Sequence, residues 1–189
     1  MCGILFYTGK ERIDKNHPAL EVIEHRGPDN VGVSNFSYNN NNITLGHRRL
    51  SIIDLKESAN QPMCLNNSDL WITYNGELYN YKELREELSN TGFVFVTDSD
   101  TEVLCASYKM WGEECLHHFN GMFAFVIWDN SRKKLFVARD RYGIKPLYFW
   151  NTKRGFGISS EIKQLAELNH KALKASTKLI GPEPNISAE

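Results

Sequence analysis

A chain of 189 residues is one domain of ordinary size, large enough to hold a core without disulfide or metal staples. Its 22 Lys and Arg nearly balance 23 Asp and Glu, so neither a basic face for nucleic acid nor an acidic tail is indicated. The longest apolar run, Met122–Trp128, is far too short to span a bilayer, and Cys2, Cys64, Cys105 and Cys115 form no C-x-x-C pair, which disfavours a zinc site and a disulfide framework alike.

In chain order, residues 2–8 predict a strand ending at Gly9. A short helix from Pro18, with Leu20 and Ile23 inward, closes at Gly27-Pro28. Strands at 31–36 and 43–47 flank a polar hairpin tip at Asn39–Asn42, and irregular chain runs on past Asp54. Leu70–Tyr74 predicts another strand. Asn80 with Glu83, and Ser99 with Glu102, carry the spacing of capping boxes for two helices, with Tyr79 and Leu84 at the staple positions of the first. Asn75-Gly76 would then join strand to helix, leaving its amide and backbone free for other use. The second helix runs to about Met110 and stops at Gly112. Met122–Trp128 pairs with Lys134–Arg139 across a hairpin, Leu147–Trp150 pairs with Gly155–Ser159, and a last helix covers 161–168. Residues 1–168 form the domain. Residues 169–189, polar and without a period, read as a linker or frayed tail. Hairpins interrupted by a few helices give an α+β class with antiparallel sheets.

The most informative residue is Cys2. Removing Met1 would place a thiol and a free α-amine on one residue. A free thiol, with a pKa of about 8.5, is mostly protonated at neutral pH, and an α-amine is a base of suitable strength to activate it. Nothing precedes Met1-Cys2 to act as a leader, so a cytoplasmic location is expected. Other groupings point nowhere. Cys115, His117 and His118 lack a fourth ligand at metal spacing, and Asp98–Glu102 lacks the glycine and distant glutamate of a calcium loop. Phe123, Phe125, Trp128 and Phe136 read as core.

Six segments together carry a resemblance: Met1-Cys2-Gly3-Ile4, His25-Arg26-Gly27-Pro28-Asp29, Arg49–Asp54, Tyr74–Asn80, Ser99–Glu102, and Phe119–Phe125 with Arg139–Tyr148. In this order they resemble the glutaminase domain of class II glutamine amidotransferases, in the asparagine synthetase-like branch. The resemblance implies the N-terminal-nucleophile hydrolase fold, a four-layer αββα sandwich of two antiparallel sheets flanked by helices. It implies Cys2 as nucleophile, with the side-chain amide of Asn75 and the backbone N–H of Gly76 as oxyanion donors. Arg49 would take the α-carboxylate of L-glutamine and Asp100 its α-amine, beside a pocket lined by Leu50, Ser51, Ile52, Ile53 and Glu77. The His25–Asp29 and Arg139–Leu147 segments would brace the pocket.

Such domains are joined to one that activates an acceptor carboxylate with ATP and Mg. Its Ser-Gly-Gly-x-Asp-Ser loop is absent from this sequence, as is a Walker P-loop. The expected chemistry is therefore glutamine hydrolysis to glutamate and ammonia, with no cofactor or metal in this chain. The expected partner is an ATP-dependent synthetase domain or subunit, with a homo-oligomer possible. Two alternatives stay open: a non-catalytic interaction module, and an N-terminal-nucleophile amidohydrolase for another amide.

Overall fold

In the computed structural model, residues 1–66, 68–153 and 155–168 are described; the tail read at 169–189 lies outside them. The chain runs β1 (Gly3–Gly9), α1 (Pro18–Glu21), β2 (Asn30–Tyr38), β3 (Asn41–Arg49), β4 (Met63–Cys64), β5 (Leu70–Leu78), α2 (Tyr81–Asn90), α3 (Asp100–Trp111), α4 (Cys115–His118), β6 (Gly121–Asp129), β7 (Lys134–Arg139), β8 (Tyr148–Thr152), β9 (Gly155–Ser159) and α5 (Ile162–Glu167). Two antiparallel sheets result, ordered β2-β3-β1-β9-β8 and β4-β5-β6-β7.

The period-two alternation of side chains sorts residues into layers. Ile4 and Phe6 of β1 meet Ala124, Val126 and Trp128 of β6 between the sheets. Their neighbours Leu5 and Tyr7 face the other way, packing with Leu20 of α1 and Leu165 of α5. Phe123, Phe125 and Ile127 turn from the interlayer toward Leu84, Leu88 and Val103 of α2 and α3. Helices therefore cover the outer face of each sheet, and the four-layer αββα sandwich holds. The four aromatics read as core are all buried.

Several local expectations need correction. Strand β5 does not stop at Tyr74: it continues to Leu78, with Asn75 opposite Ala124 and Gly76 opposite Phe123 on β6. Asn75-Gly76 is thus strand, not a joint, because pairing with β6 outweighs the turn preference of the dipeptide. Asn80 makes no cap bond. Its amide instead donates to His118 O and accepts from Asn120 N, tying the start of α2 to the approach to β6. Tyr79 is exposed rather than stapled. Ser99 does cap α3, accepting from Thr101 N at 3.1 Å, but Glu102 turns away to take the backbone N–H groups of Val96 and Thr97. Gly112 ends α3 at φ 62°, a conformation open to a residue without Cβ.

Candidate active site

Cys2 stands one residue before β1, and Gly3 pairs with Arg48, so the thiol lies beside the end of β3. There Leu50 N–H donates to Cys2 Sγ at 3.4 Å and the thiol donates to Leu50 O at 3.6 Å. Arg26 Nε donates to Cys2 O at 2.9 Å while its Nη1 reaches Glu161 at 3.2 Å, so the backbone of Cys2 is tethered too. This is the bracing expected of the His25–Asp29 segment. Burial pushes the Cys2 thiol above its ordinary value. The Leu50 N–H, the N-terminal ammonium and Arg49 act against that rise, and Asp100 adds to it. A thiol so placed needs a base.

The facing wall is β5. Tyr74 N–H donates to Gln61 Oε1 at 2.6 Å and Leu78 N–H to Asp100 Oδ2 at 3.2 Å, both on the side away from β6. Tyr79 N–H, of opposite parity, goes to Asn120 O on the β6 side. Strand geometry alternates these directions, so Gly76 N–H emerges between the Gln61 and Asp100 bonds, on the open edge. Asn75 adds a second donor: its Nδ2 is buried and has no hydrogen-bond partner among the described residues. The open Asn75 donor and the Gly76 N–H on the strand's free edge, on adjacent residues in a cleft with a thiol, suit a developing negative charge.

Gly76 is required for a reason other than approach to a ligand. A Cβ there would lie 2.4 Å from Met122 O, 2.5 Å from the Tyr74 ring and 2.8 Å from Phe123 Cα. The adjacent strand excludes any larger residue.

Asp100 opens α3 and is buried. Its Oδ2 accepts from Tyr74 Oη at 2.9 Å as well as from Leu78 N. Burial raises its carboxyl above the usual range, against the pull of those two donors. Burial and the Asp100 charge push the Tyr74 phenol well up, so it stays a donor.

Arg49 is buried at the end of β3, and its guanidinium is already engaged. Nη1 donates to Asn60 Oδ1 at 2.7 Å and Lys56 O at 3.2 Å; Nη2 donates to Ile53 O at 3.3 Å and to Asp54 O. The 53–60 loop is folded around this one cation.

A cleft of about 250 Å³ gathers Cys2, Arg49, Leu50, Ile52, Ile53, Asn75, Gly76, Glu77 and Asp100 on its walls. Ser51 is the exception. It is not on the wall, and its N–H is directed to Asp29 Oδ2 at 2.7 Å. Met1 is in place and also lines the cleft. Sequence reasoning missed further wall residues, among them Gln61, Tyr74, Thr101 and Lys145. Lys145 belongs to the segment read as bracing, where Asp140 accepts the N–H groups of Ile144 and Lys145 and folds the turn inward. Among the described residues no cluster of His, Cys, Asp or Glu could hold a metal, and no helix is long and apolar enough to cross a membrane.

Residues 1–181 match a family described as a glutamine amidotransferase domain. Asparagine synthetase 1 (glutamine-hydrolyzing) of Bacillus subtilis is 42% identical over 172 residues, covering 87% of this chain and 26% of that protein. A putative asparagine synthetase 2 of Methanocaldococcus jannaschii is 39% identical over 191 residues, covering 90% and 36%. Amidase chry2 of Gibberella zeae is 42% identical over 160 residues, covering 85% and 23%. The chain thus spans between about a quarter and a third of the length of these relatives. Among solved structures, glutamine phosphoribosylpyrophosphate amidotransferase from B. subtilis superposes with a TM-score of 0.74 at 22% identity, covering 89% of this chain and 44% of that one. That likeness shows a shared fold.

Proposed function

Since this chain belongs to the glutamine amidotransferase domain family, we propose that it hydrolyses the side-chain amide of L-glutamine to glutamate and ammonia through a thioester on Cys2. Removal of Met1 frees the Cys2 α-amine, which takes the thiol proton. The sulfur then attacks the carboxamide carbon, and the oxygen becomes an oxyanion held by Asn75 Nδ2 and Gly76 N–H. Collapse expels ammonia, which carries the proton from the ammonium. Water, activated by the same amine, then cleaves the thioester and releases glutamate.

Asp100 takes the substrate's α-amine. Arg49 takes its α-carboxylate through paired hydrogen bonds, exchanging carbonyls of the 53–60 loop for the ligand. Leu50, Ile52, Ile53 and Glu77 line the same space, and Ser51 supports it from behind. The hydrolytic half-reaction uses no cofactor. ATP and Mg serve the acceptor-activating domain or subunit that consumes the ammonia, in an asparagine synthetase-like amidation in the cytoplasm.

The observation that carries this reading is Asn75 Nδ2, buried on the cleft wall it shares with Cys2 and without a hydrogen-bond partner among the described residues, a donor that a ligand's oxygen would satisfy. The test is mass spectrometry and ammonia release on one preparation. Protein lacking Met1 should release ammonia from glutamine and be labelled at Cys2 by an electrophilic glutamine analogue, and Cys2→Ala should do neither. Full activity with Met1 retained would refute the mechanism. Function unchanged in Cys2→Ala would favour an interaction module instead.

A further inference from the structure

Gln61 takes no part in the chemistry above, yet it is buried on the cleft wall and both ends of its amide are used. Its Oε1 accepts Tyr74 N–H at 2.6 Å and its Nε2 donates to Thr101 Oγ1 at 3.1 Å. Tyr74 immediately precedes Asn75, and Thr101 immediately follows Asp100. A single planar amide thus spans the strand that presents the oxyanion donors and the helix that presents the amine-binding carboxylate.

Two other bonds join the same elements. Tyr74 Oη and Leu78 N both reach Asp100 Oδ2, so the contacts between β5 and the first turn of α3 straddle Asn75 and Gly76 on either side. Those two converge on one oxygen of the carboxylate that, on the glutaminase reading, takes the substrate's amine. The Gln61 bridge touches neither the donors nor the carboxylate, so it can hold their spacing while the ligand binds. Nor can Gln61 readily move aside. A Cβ on Gly32 would lie 1.9 Å from Gln61 O, so β2 presses on its backbone. The carbonyl of Tyr74 is taken in turn by His47 Nε2 at 3.1 Å, which fixes the next peptide unit, the one that joins Tyr74 to Asn75.

We propose that Gln61 is a positioning residue that sets the distance between the oxyanion donors of β5 and the amine-binding Asp100 through its bridge from Tyr74 N to Thr101 Oγ1. The inference rests on the glutaminase reading. Glutamine is held at two ends about a side chain apart, so a misplacement near 1 Å at the donors costs about 10²-fold in turnover while leaving binding largely intact.

The test uses Gln61→Met, which keeps volume and removes both hydrogen bonds, and Thr101→Val, which removes only the helix end, with Thr101→Ser as the conservative rescue. Active sites are counted by labelling with the electrophilic glutamine analogue, so that kcat is expressed per competent site. The expected result is a fall of tenfold or more in kcat per site for Gln61→Met and Thr101→Val, with KM for glutamine within about threefold, and recovery in Thr101→Ser. Wild-type kcat per site in Gln61→Met overturns the proposal, as does a loss confined to the number of labelled sites. If Gln61→Met does not fold, the Thr101 pair decides: equal turnover in Val and Ser variants overturns the bridge. Failure of the glutaminase reading looks different, since wild-type protein would then neither release ammonia nor take the label.

Discussion

Asn75→Ala separates activity from stability in a way few active-site substitutions do. The Asn75 side chain is buried, and its Nδ2 has no protein partner among the described residues. In the folded chain this donor bears the desolvation cost of an unsatisfied polar group, about 1–3 kcal/mol. Truncation to Ala removes that cost and loses some packing of a small side chain, of similar size and opposite sign. The net change in stability is then within about 1 kcal/mol, a shift in Tm of about 2–4 °C in either direction for a domain of this length. Turnover behaves otherwise. Loss of one oxyanion donor costs about 10²–10³ in kcat, or about 2.7–4 kcal/mol of transition-state stabilisation, with KM little changed because the ground-state carbonyl is a weaker acceptor. The assay pairs glutamate release at saturating glutamine with thermal unfolding of the same preparation. A variant with wild-type kcat would refute the oxyanion assignment. A drop in Tm beyond 10 °C would show that the amide is a structural group and that its open donor has been misread.

Asp100→Asn should raise KM for glutamine by about 10–100-fold, since a charge-assisted hydrogen bond to the α-amine is lost. Burial lifts the Asp100 carboxyl above its unfolded value of 3.8, so folding favours its protonated form and this group's contribution falls as pH rises from that value through the raised one. The variant should therefore lose less stability than wild type between pH 4 and pH 7 in denaturant titrations, and parallel curves would contradict the assignment. His47 behaves in the opposite sense: burial lowers it from 6.5 to about 3 and its Nε2 donates to Tyr74 O, so it folds neutral. Its contribution is complete above pH 6.5 and is lost progressively as pH falls toward 3. His47→Leu should flatten the acid limb of the stability profile while costing about 1–3 kcal/mol at pH 7 from the stranded Tyr74 carbonyl; an unchanged acid limb would rule His47 out as its source. Gly76→Ala should fail to fold or lose several kcal/mol, because two of the three contacts its Cβ would meet are backbone atoms of β6. Near-native stability there would mean the two strands are free to separate.

What was legible in the sequence was whatever depends on near neighbours. The apolar stretches at 2–8 and 122–128 marked β1 and β6 as strands, and Gly112 marked the end of α3. The site was legible through a different route, the family resemblance carried by six short segments, and nine of its ten residues do share the cleft. The misses have one cause. Asn75-Gly76 carries a local preference for a turn, but β6 supplies a full ladder opposite it, and partners as distant in sequence as Ala124 and Phe123 cannot be read from a dipeptide. Asn80 looked like a cap because Glu83 stands three residues on; its amide was taken by the 118–120 segment. Gln61 sits 13 residues from Tyr74 and 40 from Thr101, in a stretch with no period at all, so nothing local marked it as the bridge.

The proposed nucleophile and the proposed oxyanion donors belong to different sheets: Cys2 leads into β1, whereas Asn75 and Gly76 lie on β5. Their separation is therefore set by how one sheet sits on the other. The apolar interlayer of Ile4, Phe6, Ala124, Val126 and Trp128 drives the stacking, but burial of hydrocarbon is non-directional and resists sliding only weakly. Directional bonds must supply the register. Two cross directly from sheet to sheet beside the site: Thr73 Oγ1 donates to Gly46 O at 3.0 Å and His47 Nε2 to Tyr74 O at 3.1 Å. They join consecutive residues of β3 to consecutive residues of β5, just before Arg49 on one strand and Asn75 on the other. Buried polar groups in an otherwise dry layer cost stability unless paired, and here each of these pairings fixes the offset between a sulfur and the donors meant for its reaction. An aliphatic residue at position 47 or 73 would strand a buried backbone carbonyl as well as release the offset, so on the proposed reading these two hydrogen bonds serve stability and alignment together.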